Sequence, residues 1–147
     1  MTATDWQTAS ATLHIAAQLV DGIQTRLSTR GFADVRPVHG FAFAALAGER
    51  TTAKSLAAAL GVTKQAAAQL VVHLVRCGYV TRESDPRDGR AQLLVLTARG
   101  RACTAAAEQA AAEVVGEWRS QTTPSTFATF TQVVGTIAKP GRLRPTW

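Results

Sequence analysis

"TAKSLAAALGVTKQAAAQLVVHLVRCG", residues 52–78, reads as two short helices with almost nothing between them. The first starts at Thr52 and stops at Gly61, the residue type best suited to the left-handed conformation that closes a helix. After Val62 alone, Thr63 offers a hydroxyl N-cap for a second helix from Lys64 to about Cys77, and Gly78 ends it. Helices joined so tightly must cross at a steep angle, which is the spacing of a helix-turn-helix. On the second helix Ala67, Leu70, Val71 and Leu74 share one side. At 100° per residue, Gln65, Gln69, Val72 and Arg76 stack along the other. That outer face is polar and positive, and suits a major groove about 12 Å wide.

Downstream, "YVTRES" (79–84) and "AQLLVL" (91–96) read as two strands around a charged turn, with Asp88-Gly89 as a two-residue hairpin signal. The turn carries Arg87 and Arg90, with Arg82 just upstream. Placed beside a recognition helix, such a tip reaches phosphates or a flanking minor groove, whose negative potential favours arginine when it is narrow. Asp88 is positioned to pair with Arg90 and steady its fork. The bland alternative is a solvated hairpin. Thr97 then caps a long helix with a stripe at Cys103, Ala107, Ala110, Val114 and Trp118, and Glu108, Glu113 and Glu117 lie mostly off it. Thr123-Pro124 opens a last helix marked by Phe127, Phe130, Val134 and Ile137. "KPGRLRPTW" closes the chain as a loose or partner-packed tail.

Upstream, Trp6, Leu13, Ala16, Val20, Ile23 and Leu27 recur at helical spacing, predicting a helix from Asp5 to Ser28. So long a helix with few residues to cover it is expected to pack on another subunit. Gly31 breaks it, and Pro37 suits the first turn of the next helix, whose stripe reads as Val38, Phe41, Ala45 and Leu46. Gly48 stops that one.

A chain of 147 residues, 46% hydrophobic, can bury a real core but is short for two independent domains. Alanine supplies much of that fraction and aromatics only 6%, so the expected fold is mainly α with a small β-wing. The formal net charge is +6, and it is concentrated: residues 50–101 hold nine of the 16 lysines and arginines but three of the ten acids. A basic centre between near-neutral arms suits a polyanion-binding module, although a solvated basic face has the same composition. Lys54 and Lys64 occupy first turns, where the helix dipole disfavours cations, so either they turn away or an anion lies near.

No apolar run is long enough to cross a membrane, and "MTATDWQTAS" has neither the basic nor the apolar region of a secretory signal. The expected location is the cytosol, with no membrane partner. Cys77 and Cys103 fit no disulfide framework or metal spacing and read as reduced core residues. His14, His39 and His73 share no metal spacing either, and no cofactor is expected. For an enzyme the chain lacks a nucleophile beside a base, a phosphate-binding glycine loop and an apolar carboxylate pair. Asp85 and Asp88, in an arginine-rich turn, stay ionised.

The stretch Leu56 to Gly100, "LAAALGVTKQAAAQLVVHLVRCGYVTRESDPRDGRAQLLVLTARG", resembles the MarR family of bacterial winged-helix regulators. The similarity runs through Leu56, Gly61, Val62, Thr63, Gly78, Tyr79 and Arg82, and is most specific in the wing, Asp85, Pro86, Asp88 and Arg90, leading to Leu96, Thr97 and Gly100. "RPVHGFAFAAL" also looks like the family's second helix. The resemblance implies a single domain over 1–147, with residues 1–35 and 120–147 as dimerisation helices, 36–100 as the winged helix-turn-helix and 98–119 as a long linking helix. It implies a homodimer on double-stranded DNA, its recognition helices in major grooves roughly 34 Å apart on a palindromic operator. The implied DNA-contacting residues are Lys54, Thr63, Lys64, Gln65, Gln69, Arg76, Arg87, Asp88 and Arg90. A small-molecule effector site is implied where the dimerisation helices meet the winged lobe, with His14, His39 and Trp118 as lining candidates. One departure matters: Ala68 and Gln69 stand where the family usually has a hydroxyl-bearing residue and an arginine. That motivates a rival reading, a winged-helix protein-interaction module with vestigial DNA contacts.

Overall fold

Threonine hydroxyls open five of the six helices among the described residues. The computed structural model describes residues 2–48 and 50–139. It holds α1 (Ala3–Thr29), α2 (Pro37–Ala47), α3 (Ala53–Leu60), α4 (Lys64–Arg76), α5 (Ala98–Ser120) and α6 (Pro124–Ile137). Thr2, Thr52, Thr63, Thr97 and Thr123 each accept from the backbone N–H three residues on, at 3.1–3.2 Å, satisfying donors that a helix start leaves orphaned. At α2 the roles reverse, and the His39 Nδ1 accepts from the Arg36 N–H at 3.0 Å. The expected tail beyond Lys139 lies outside the described residues.

Two compact units divide the chain: residues 35–106, and residues up to Asp34 together with 107–139. The first is the winged unit. Gly61, at φ 66°, ends α3 in the left-handed region, and α3 and α4 are bent by 111° at their junction. No single helix is long and apolar enough to cross a membrane; this bent pair, the helix-turn-helix, passes only when its two members are joined. Leu56, Ala57 and Leu60 of α3 are buried, and on α4 Ala67, Val71 and Leu74 are buried as expected while Leu70 is half-buried. On α2 only Leu46 of the expected stripe is buried: His39, Ala42 and Phe43 join it in the core, while Val38, Phe41 and Ala45 are half-buried. The helix is apolar nearly all round, so periodicity does not mark its inner face.

Strands β1 (Val80–Ser84) and β2 (Gln92–Leu96) pair antiparallel from Val80↔Leu96 to Ser84↔Gln92. Thr51 adds a one-residue bridge, its carbonyl accepting from the Leu94 N–H at 2.7 Å. A single bridging residue has no alternation to betray it in sequence. The strand bases are tied to the helices at one junction. The Thr97 hydroxyl donates to the Gly78 carbonyl at 2.5 Å, and the Thr97 N–H donates to the Tyr79 carbonyl at 3.0 Å. Gly100 lies against the same peptide, where a Cβ would fall 2.3 Å from the Tyr79 oxygen.

In the helical unit, Leu27, Ala110, Val114 and Phe127 are buried. Arg26 and Arg30 on α1 meet the acids of α5. The Arg26 Nε lies 3.1 Å and an Arg30 amino group 2.7 Å from Glu113, and Arg26 also pairs with Glu117. The Arg30 hydrogen bond, with Arg26 adding to it, holds the Glu113 carboxyl below its ordinary value of 4.5. Much of the expected apolar stripe on α1 faces outward, with Trp6 62% and Leu13 68% exposed. On α6, Phe130, Val134 and Ile137 are exposed as well.

Three outcomes follow from this packing. A carboxyl whose pKa is lower in the folded chain stabilises above its unfolded value and loses that contribution as pH falls through its folded one. Denaturant titrations should therefore show Glu113→Gln less stable than wild type at neutral pH, with the gap closing on acidification below about 4.5. In the winged unit, Gly100→Ala should destabilise by about 1–3 kcal/mol, the usual size of an overpacking penalty. Gly40→Ala, in a helix interior with nothing within 4 Å of the added methyl, should instead stabilise by about 0.5–1 kcal/mol.

Candidate nucleic-acid interface

The buried side of α4 fixes what its outer side presents. With Ala67, Val71 and Leu74 packed inward, Gln65, Gln69, Val72 and Arg76 all point to solvent, Val72 45% exposed. Ala66 and Ala68 flank them, also exposed. Lys64 stands exposed in the first turn of α4, and Lys54 likewise in α3. The Thr63 hydroxyl oxygen is committed to the α4 N-cap, receiving the Ala66 N–H at 3.1 Å.

The wing turn departs from expectation. Residues 85–91 form a seven-residue connection rather than a two-residue hairpin, and Gly89 is not among the positive-φ glycines that a type I′ turn requires. Two aspartates shape it instead. The Asp85 Oδ1 accepts from the Arg87 N–H at 2.8 Å, and the Asp88 Oδ1 accepts from the Arg90 N–H at 3.0 Å. Each is a side-chain mimic of a backbone turn. The Asp85 N–H donates to the Ala91 carbonyl and the Ala91 N–H to the Asp88 carbonyl, both at 3.0 Å. Asp88 thus steadies the Arg90 backbone; no ion pair joins it to the guanidinium among the described residues, so the expected side-chain pairing is corrected. A carboxylate two residues before an N–H reaches it more readily than a long arginine fork.

The nine cations of residues 50–101 fall into two groups. Arg99 stacks over the Tyr79 ring at 4.6 Å and donates to its hydroxyl at 2.9 Å. Arg101 donates to the Leu96 carbonyl at 2.8 Å, and Arg50 lies 3.4 Å from Glu83. These three serve the fold. Lys54, Lys64, Arg76, Arg82, Arg87 and Arg90 are exposed and form no ion pair among the described residues. They belong to the helix-turn-helix and the wing, and α4 packs against β1.

The effector candidates are dispersed. His39 is buried in the winged unit, its ring stacked on His73 at 4.9 Å between centroids. The His73 Nε2 lies 3.7 Å from the Cys77 Sγ; Cys77 is half-buried, and Cys103 is in the core as expected. His14 is exposed on α1, its Nδ1 2.8 Å from the Ser10 carbonyl. Trp118, in the helical unit, lines a cavity of about 300 Å³ with Ile15, Gln18, Thr126, Phe127 and Phe130, and His14 is not among its walls. No cluster of three metal-ligating side chains occurs among the described residues.

Residues 33–91 match the MarR family model. No curated protein sequence matches the chain. Solved structures do. FabT of Streptococcus pneumoniae, solved in complex with DNA, is 16% identical with a TM-score of 0.77 over 90% of this chain and 93% of its own. Wild-type MarR from E. coli, in its apo form, is 20% identical with a TM-score of 0.71 over 89% and 96%. A MarR-family protein of Mycobacterium tuberculosis, in complex with salicylic acid, is 22% identical with a TM-score of 0.65 over 87% and 93%. The segment holding the helix-turn-helix and the wing turn thus matches the MarR family model, and the chain has the fold of solved MarR-family proteins.

Proposed function

We propose that the chain is a DNA-binding transcriptional regulator acting as a homodimer on a palindromic operator, in the manner of a ligand-responsive repressor. One observation carries the reading. The helix-turn-helix and the wing that follows it display six exposed cations that form no ion pair among the described residues. Arg87 and Arg90 then serve the groove beside the recognition helix, with Asp88 shaping their loop. Lys54, Lys64 and Arg76 serve the phosphates, which take the majority of contacts at such interfaces. The DNA complex of FabT, on the same fold, supports this assignment.

The exposed apolar residues of α1 and α6 support a second copy as their cover, since a monomer rarely leaves so many in contiguous helices. Two α4 helices held by such a dimer would enter major grooves roughly 34 Å apart, and repression is then steric exclusion of polymerase. The salicylic acid complex of the M. tuberculosis protein supports a small-molecule effector. An effector acts here only by binding the DNA-competent and incompetent states unequally. Of His14, His39 and Trp118, the tryptophan lines the cavity of about 300 Å³.

The smooth Ala66 and Ala68 surface, with Gln69 in place of arginine, favours the second reading, a protein-interaction module. Binding to mixed genomic fragments at several salt concentrations separates the two. A regulator should enrich a palindrome and lose affinity linearly in log–log against salt; binding no tighter than to random duplex overturns it. Arg90→Ala should weaken operator binding by about 1–3 kcal/mol, the size of one good groove contact, with the dimer intact. Unchanged affinity in a folded dimer removes the wing from the interface. Lys64→Ala should weaken all sequences alike and lower the salt slope by about one.

A further inference from the structure

The side chains of α4 that point away from its core bear on which bases the chain reads. In a helix-turn-helix the first turns of the recognition helix meet base edges. Here those turns present Gln65 and Gln69 at the centre of the outer face, Ala66 and Ala68 at its margins and Val72 one turn on, all exposed. Lys64 is rotated about 100° from Gln65, toward the rim, and Arg76 lies about 16 Å further along the axis, beyond the base-reading turns. The central face therefore has no arginine or lysine for the guanine O6 and N7. With no acid anywhere on α4, it also lacks the carboxylate that usually takes the cytosine amino group, and its acceptors are the two carboxamide oxygens. What it has is two carboxamides, whose paired donor and acceptor match the adenine N6 and N7, and small apolar groups, which match the thymine methyl. Gln65 and Gln69 are about 6 Å apart along the axis, less than two base steps of 3.4 Å.

We infer that the chain is specific for duplex DNA whose half-sites are centred on consecutive A·T pairs, read by Gln65 and Gln69 at adenine and by Val72 at a thymine methyl. The inference rests on the DNA-binding reading and adds its base preference. The wing works in the same direction. Runs of A·T pairs narrow the minor groove and deepen its negative potential, which suits Arg87 and Arg90, exposed and in no ion pair among the described residues.

Selection of bound duplexes from a randomised library, using the full chain and its Gln69→Ala and Gln69→Arg variants, tests it. Wild type should enrich half-sites with consecutive A·T pairs at the centre, and changing one of them to G·C should weaken binding by about 5- to 150-fold, the range of one bidentate base contact. Gln69→Ala should flatten the preference at one position of each half-site and leave the others. Gln69→Arg should move that same position to guanine, an outcome that a general loss of folding or charge does not produce. Half-sites centred on G·C pairs, or an unchanged logo for Gln69→Ala, overturn the inference while leaving DNA binding standing. Enrichment of no sequence overturns both.

Discussion

Everything in the winged unit hangs on the Thr97 hydroxyl and the peptide opposite it. One hydroxyl has one proton to give and two lone pairs to offer, and here both capacities are used: the proton goes to the Gly78 carbonyl, and the oxygen receives the Gly100 N–H. The end of α4, the start of β1, the end of β2 and the start of α5 are thereby fixed at one point. Gly100 permits this because no Cβ separates α5 from the Tyr79 carbonyl, and Gly78 permits it through its left-handed φ of 78°. A wing attached so closely to the last turn of its recognition helix keeps a set distance from it. Two contact elements with a set distance can match a duplex without ordering costs at the moment of binding.

How legible this was in the sequence depended on whether a local rule had a competitor. The face of α4 was readable because its inner residues are apolar and its outer ones mostly are not. Caps were readable because threonine before a helix and glycine after it act within four residues. The inner face of α2 was not, since PVHGFAFAALA has apolar groups on every side and only the neighbouring α3 and β2 decide which are covered. The wing turn misled in a more instructive way. Asp88-Gly89 is a strong two-residue hairpin signal, yet Asp85 three residues earlier offers a second carboxylate to a second N–H, and two side-chain turns in series make a longer loop. The Arg90 guanidinium is left unpaired as a result.

That outcome changes the electrostatic picture drawn from composition. A net charge of +6 in the middle third treats its nine cations alike, but the fold uses Arg50, Arg99 and Arg101 for its own cohesion. The other six form no ion pair among the described residues, and the Asp85 and Asp88 carboxylates accept from the Arg87 and Arg90 N–H groups. Residues 85–90 still sum to zero formal charge, so what the turn supplies is two exposed guanidinium groups available for contact rather than an excess of charge.

The helical unit poses the complementary problem. Arg26, Arg30, Glu113 and Glu117 bind α1 to α5 through charge, while Trp6, Leu13 and Ile137 stay in water. Half-exposed ion pairs contribute little to stability, whereas a fully covered Leu or Ile side chain contributes about 1.5–3 kcal/mol. A unit that joins its helices partly through charge and leaves Trp6, Leu13 and Ile137 exposed holds apolar surface that another surface can still cover. On the proposed dimer that surface is the same pair of helices in a second copy. On that proposal, folding of this unit depends on chain concentration.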